Sequence, residues 1–111
     1  MPVFITQGRF TQDAVRGMLA APEDRAESVA KLFAASGGKL IAYYMVFGDY
    51  DFMIISEGPF EGVATSAIVG AAAGGVTDLK TSLAMTSGDM KSAFVKAGPV
   101  VAAFKAAGAK A

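Results

Sequence analysis

The stretch that most constrains this chain is Gly37–Glu57, GGKLIAYYMVFGDYDFMIISE. Two apolar, aromatic runs, Leu40–Phe47 and Phe52–Ser56, flank a short polar break, Gly48-Asp49-Tyr50-Asp51. Apolar β-formers on both sides of such a break predict a β-hairpin with a four-residue connection. In the first run, alternation puts Leu40, Ala42, Tyr44 and Val46 on one face and Ile41, Tyr43, Met45 and Phe47 on the other. Both faces are largely apolar, so both need cover. One should meet helices, and the other a second sheet or another subunit.

The remaining segments supply that packing. Val3–Arg9 alternates as a strand, with Val3, Ile5 and Gln7 opposite Phe4 and Thr6. Thr11 suits an N-cap, and Asp13 follows in the first turn. Apolar residues at helical spacing predict a helix over 11–36, bent or broken near Pro22, which fits the first turn of a second segment. Gly37-Gly38 ends it as a left-handed cap would. Pro59 suits the first turn of a helix reaching Gly74-Gly75. Val76–Thr86 alternates again, with Leu79, Thr81, Leu83 and Met85 opposite Asp78, Lys80, Ser82 and Ala84. Ser87 reads as the cap of a last helix, broken at Gly98-Pro99. A helical turn and a frayed tail are expected over 99–111, which leaves residues 1–98 as the domain.

The order β-α-β-β-α-β plus a C-terminal helix is the ferredoxin-like α+β pattern, an antiparallel sheet with its helices on one face. The opposite face is left bare, and the apolar content of the second strand predicts that two sheets pack face to face in a homodimer or larger homo-oligomer.

Composition narrows the function. With 111 residues and 53% hydrophobic content, one domain can build a core and leave apolar surface for a partner. Ten basic and ten acidic side chains cancel, so no whole-molecule field attracts nucleic acid or an anionic membrane. The chain has neither cysteine nor histidine. A disulfide, a Ser-His-Asp triad, a Cys nucleophile and a histidine acid–base are therefore excluded, and a zinc or copper site is not expected. Only an oxygen-ligand metal site stays open; no EF-hand spacing is present, and no metal is expected. Gly70–Gly75 does not match a phosphate loop. MPVFITQGRF lacks a signal-peptide pattern, and the weakly polar window Val63–Val76 is too short and glycine-rich to span a bilayer; a cytoplasmic protein is the expectation.

The segments FITQGRFT, GGKLIAYYMVFGDYDFMII and VTDLKTSLAMT, spread over residues 2–90, resemble the GYD domain family. Gly48, Tyr50 and Asp51 match its Gly-Tyr-Asp motif. The resemblance implies the dimeric α/β-barrel superfamily. That superfamily includes cofactor-independent monooxygenases, muconolactone isomerase-like proteins, haem-dependent members and ligand-sensing domains. Haem of the usual kind needs a histidine, so no cofactor is carried over.

Several residues could carry chemistry. Asp49 reads as a turn-capping residue, whereas Asp51, entering the next strand, could cap the turn or act as a general base. Gly48 reads as a backbone-conformation residue. Tyr43 and Tyr44 must point to opposite faces, each as an interface residue or a ligand-orienting hydroxyl, and Tyr50, in the turn, is a further ligand-binding candidate. Asp78, Lys80 and Ser82, joined by Arg9 or Gln7 from the first strand, could line the open face as a small-molecule site in which desolvation lowers the lysine's pKa. The alternative, which the pattern favours, is that Lys80 guards an edge strand. Two functions follow: a small-molecule-binding protein or cofactor-independent enzyme, catalytic candidates Lys80, Asp51, Tyr43 and Tyr44; or a non-catalytic assembly or ligand-sensing module.

Overall fold

In the computed structural model, which describes residues 2–108, eight elements follow in the order β1 (Val3–Phe10), α1 (Gln12–Ala20), α2 (Ala26–Ala35), β2 (Lys39–Met45), β3 (Phe52–Glu57), α3 (Phe60–Ala72), β4 (Val76–Ala84) and α4 (Ser87–Ala103). The strands form one sheet in the order β2-β3-β1-β4, and every neighbouring pair is antiparallel. This is the expected ferredoxin-like α+β arrangement.

Alternation decides which face is covered. Phe4 and Thr6 of β1 and Phe52, Ile54 and Ser56 of β3 are buried on the helix side. Phe33 of α2 packs on Phe52 and Ile54, with Phe10, Val29, Leu40, Tyr43, Val76 and Leu79 around them. Phe10 and Phe52 stack with ring centroids 5.1 Å apart. Each fully buried Phe contributes about 2–3 kcal/mol. Gly8 makes room for this cluster: a Cβ there would come within 2.6 Å of the Phe52 ring and 2.7 Å of Leu79.

Helix ends follow local chemistry. The Thr11 hydroxyl caps α1 by accepting from Ala14 N–H at 3.2 Å, as expected. The 11–36 segment is broken, but Pro22 does not open the second helix. Asp24 instead accepts from Ala26 N–H at 2.9 Å and fixes the start there. Gly37, at φ +85°, closes α2 with the left-handed turn that favours glycine.

Three expectations need correction. First, β2 ends at Met45. Phe47 lies in the turn, fully exposed, and the hairpin closes by Val46 N–H donating to the Asp51 carbonyl at 3.0 Å. Second, the pairing of β2 with β3 slips between Leu40 and Ala42, a bulge that takes Ile41 out of the alternation. Leu40 and Tyr43 therefore share the helix face, opposite Ser56 and Ile54, and Ala42 and Tyr44 share the other. Third, α4 is continuous through Gly98-Pro99, and Thr86 rather than Ser87 caps it, accepting from Asp89 N–H at 3.0 Å. Proline removes one backbone donor, but every residue of α4 is exposed, so water can satisfy the freed Val95 carbonyl.

No other element packs extensively on α4. The radius of gyration is 18.5 Å, against roughly 13 Å for a compact chain of this length. Met90, Phe94, Val95, Val100, Val101 and Phe104 are all exposed along it. The second open apolar surface is the sheet face away from the helices, where Ile5 and Ile55 lie side by side between Ala42 and Ser82.

Candidate functional site

Between the helix face of the sheet and α2–α3 lies a cavity of about 300 Å³. It exists because small residues line α3 and its exit. Ala67, Gly70, Ala73 and Gly75 do not fill the space that Val29, Leu32 and Phe33 of α2 leave above Phe52, Ile54 and Leu79. The lining is mostly apolar, with Thr6, Arg25, Tyr43 and Ser66 as its polar side chains. Thr6 is occupied with Thr81 at 3.0 Å, and Ser66 donates to the Gly62 carbonyl at 3.0 Å. Two groups are left for a ligand. Burial pushes the Tyr43 phenol above its ordinary pKa, outweighing the nearby Arg25 charge, so the hydroxyl stays a donor at neutral pH. Among the described residues that hydroxyl finds no hydrogen-bond partner. Arg25 gives Nη1 to Glu23 at 2.7 Å and keeps its other donors. A second, more open hollow of about 340 Å³ adjoins the cavity, sharing Phe10, Arg25, Gly75 and Val76, and reaches α1 at Ala14, Gly17 and Met18.

The two adjacent tyrosines fall on opposite faces of the sheet, as alternation requires. Tyr43 lies on the helix side and lines the cavity; Tyr44 is on the open face and exposed. Across that face Tyr44, Met53, Gln7 and Lys80 form one row, and Ala42, Ile55, Ile5 and Ser82 the next. Neither Lys80 nor Asp51 lines the cavity. Asp78 leaves the strand alternation altogether. The pairing of β1 with β4 slips between Gln7 and Arg9, and Asp78 takes a left-handed φ of 53° at that bulge.

At the same end of the sheet, two cations lie near the Tyr50 ring. The Arg9 guanidinium carbon and Lys80 Nζ each lie 5.9 Å from its ring centroid. Lys80 is fully exposed. Hydrogen bonding to Tyr50 raises its pKa, and the Asp78 charge adds to the effect. Desolvation, which lowers this pKa, is outweighed in the single chain, where Lys80 is exposed; the depression expected for this lysine concerns an ammonium enclosed by a second sheet.

Asp51 joins three segments. Its Oδ2 accepts from Phe10 N–H at 2.9 Å, its N–H donates to the Gly8 carbonyl at 2.9 Å, and its carbonyl closes the hairpin. Asp51, not Asp49, is therefore the turn carboxylate that holds backbone.

A sequence model of the GYD domain matches residues 4–94, most of the chain, including the hairpin turn and β4. The chain belongs to the GYD domain family. A search of curated proteins returned no match. Among solved structures, the crystal structure of TTHA0845 from Thermus thermophilus is similar at 18% identity and a TM-score of 0.50, over 78% of this chain and 96% of that one. The crystal structure of FFRP-DM1 is similar at 15% identity and a TM-score of 0.44, over 77% and 100% respectively. At 18% identity the likeness to TTHA0845 is one of fold. In this GYD chain, Asp51 of the motif braces β1 against the hairpin, and the Tyr50 ring has Arg9 and Lys80 near it.

Arg25 was not visible as a site residue in the sequence. It stands in an exposed charged run, Glu23-Asp24-Arg25, and only the break after Pro22 folds it toward Tyr43. The cluster Phe10, Phe33 and Phe52 was legible as apolar but not as the wall of a cavity. Among the described residues no group of three or more acidic side chains is placed to hold a metal ion, and no helix is long and apolar enough to cross a membrane.

Proposed function

We propose that this GYD protein is a homo-oligomeric small-molecule-binding protein whose ligand occupies the cavity between the sheet and α2–α3. The observation that carries the reading is the cavity itself: about 300 Å³ of mostly apolar space with an unpartnered phenol in its wall. Ligand pockets span roughly 300–1,000 Å³ and combine apolar lining with a few polar groups. A cofactor-independent reaction would need an acid or base touching the ligand, and Tyr43 is the cavity residue able to serve. The test is binding of small apolar probes, read as a rise in melting temperature, in the native chain and in Ala67→Phe. Filling the cavity should abolish the rise; a rise that persists places the ligand elsewhere and removes the proposal.

Self-association belongs to the same proposal. Among the described residues, no element packs extensively on the open sheet face around Ile5 and Ile55 or on the apolar side of α4. Covering the sheet face with a second copy would enclose Tyr44, Lys80 and Ser82, with Arg9, Tyr50, Asp51 and Asp78 at the barrel's end. A second polar site of that kind depends on the dimer. The alternative function, a non-catalytic assembly module, is favoured by α4, whose exposed apolar side suits association alone. It predicts oligomers that Ala67→Phe leaves unaltered and no probe bound.

A further inference from the structure

We infer that the cavity selects apolar molecules headed by a carbonyl-type oxygen, a ketone or carboxylate, and rejects the same body headed by an ammonium. This rests on the proposed binding role of the cavity and adds the chemistry of what it holds. The apolar body follows from the walls: Val29, Leu32, Phe33, Phe52, Ile54 and Leu79 offer no hydrogen bonds. The head follows from the two polar groups still free. A guanidinium has donors and no acceptor, and it cannot lose its proton. The Tyr43 hydroxyl could both donate and accept, but Arg25 lines the same cavity, so an acceptor on the ligand has donors on both residues available, whereas a cation meets a like charge. Thr6 and Ser66, the other polar residues of the lining, already hydrogen-bond within the protein.

The carboxylates nearby oppose selection of an anion on charge alone. Glu23 pairs with Arg25 Nη1, and Asp24 is held by Ala26 N–H at the start of α2. Neither lines the cavity. An exposed pair such as Glu23–Arg25 is worth little and leaves Arg25 free to turn a second donor to a ligand. The selection is thus for an acceptor atom rather than for net negative charge, and a neutral ketone should satisfy it.

The probes are octan-2-one, octanoate and octylammonium, which share an apolar chain and differ at the head. Titration calorimetry on the native chain should show the ketone and the carboxylate binding at least tenfold more tightly than the ammonium. One hydrogen bond to a charged donor supplies a discrimination of about that size. Arg25→Gln and Tyr43→Phe should each weaken octan-2-one severalfold. Glu23→Gln should tighten octanoate, by releasing the guanidinium. Octylammonium binding as well as octan-2-one, or ketone affinity unchanged in both Arg25→Gln and Tyr43→Phe, would overturn the inference. The wider reading fails separately. If no probe binds, or if Ala67→Phe binds them all as before, the cavity is not the site and the head-group selection falls with it. If all three bind alike and Ala67→Phe abolishes all three, only the selection is wrong.

Discussion

Removal of the Asp51 carboxylate tests whether the motif aspartate serves the fold or a ligand. Asp51→Ala keeps the two backbone bonds of residue 51, to Gly8 and from Val46, and deletes only the Oδ2 acceptor of Phe10 N–H. A hydrogen bond to a charged group is worth about 1.5–3 kcal/mol when sheltered, and this one is exposed, so water recovers part of the loss and about 1 kcal/mol remains. For a domain near this length that lowers the melting temperature by roughly 4–6 °C. Asp51→Asn retains an acceptor oxygen without the charge and should lose about half as much. Phe10 carries the effect inward, because its ring stacks on Phe52 and lines the cavity. Thermal unfolding gives the magnitude, and amide hydrogen exchange at Phe10 gives the location. The reasoning is refuted if Asp51→Ala leaves both unchanged while ligand binding disappears, since the carboxylate would then act on the ligand.

Other perturbations separate the remaining structural roles. Ser56 is fully buried and its Oγ has no partner, so Ser56→Ala should be neutral or stabilising by about 1 kcal/mol in urea unfolding. The Lys80 pKa is raised above 10.5 in the folded chain, so its contribution is complete at neutral pH and is lost only as pH rises through the folded value. Side-chain NMR should find Lys80 titrating above 10.5 and returning toward that value in Tyr50→Phe. Ile5→Lys places a charge in the middle of the open sheet face, and sedimentation at micromolar concentration should show a smaller species than the native chain; an unchanged species would locate the association elsewhere.

Strand alternation carried much of the fold. Phe4 and Thr6 lie on the buried face of β1, and Tyr43 and Tyr44 point to opposite sides, as period-two reasoning requires. Periodicity fails where a strand gains a residue. The bulges at Ile41 and Asp78 reset the phase, and nothing in either residue type announces a bulge in advance. Gly98-Pro99 misled because the helix-breaking rule counts a lost donor and a steric clash, both of which an exposed helix can absorb by bending toward water. The candidate site was half legible. Tyr43 was recognisable as a polar group in an apolar strand, and Lys80 as part of a polar set on the open face. That Tyr43 rather than Tyr44 takes the helix side, and that Arg25 lines the same cavity, arise only from tertiary packing.

Methyl-resolved NMR of the native chain titrated with octan-2-one tests the central claim most directly. The methyls of Ile54, Val63 and Leu79 line the cavity, whereas those of Ile5 and Ile55 lie on the open face. A ligand between sheet and helices should shift the first group in a saturable way and leave the second unmoved. Shifts confined to Ile5 and Ile55, or none in either group at saturating ligand, would contradict a binding site between the sheet and α2–α3.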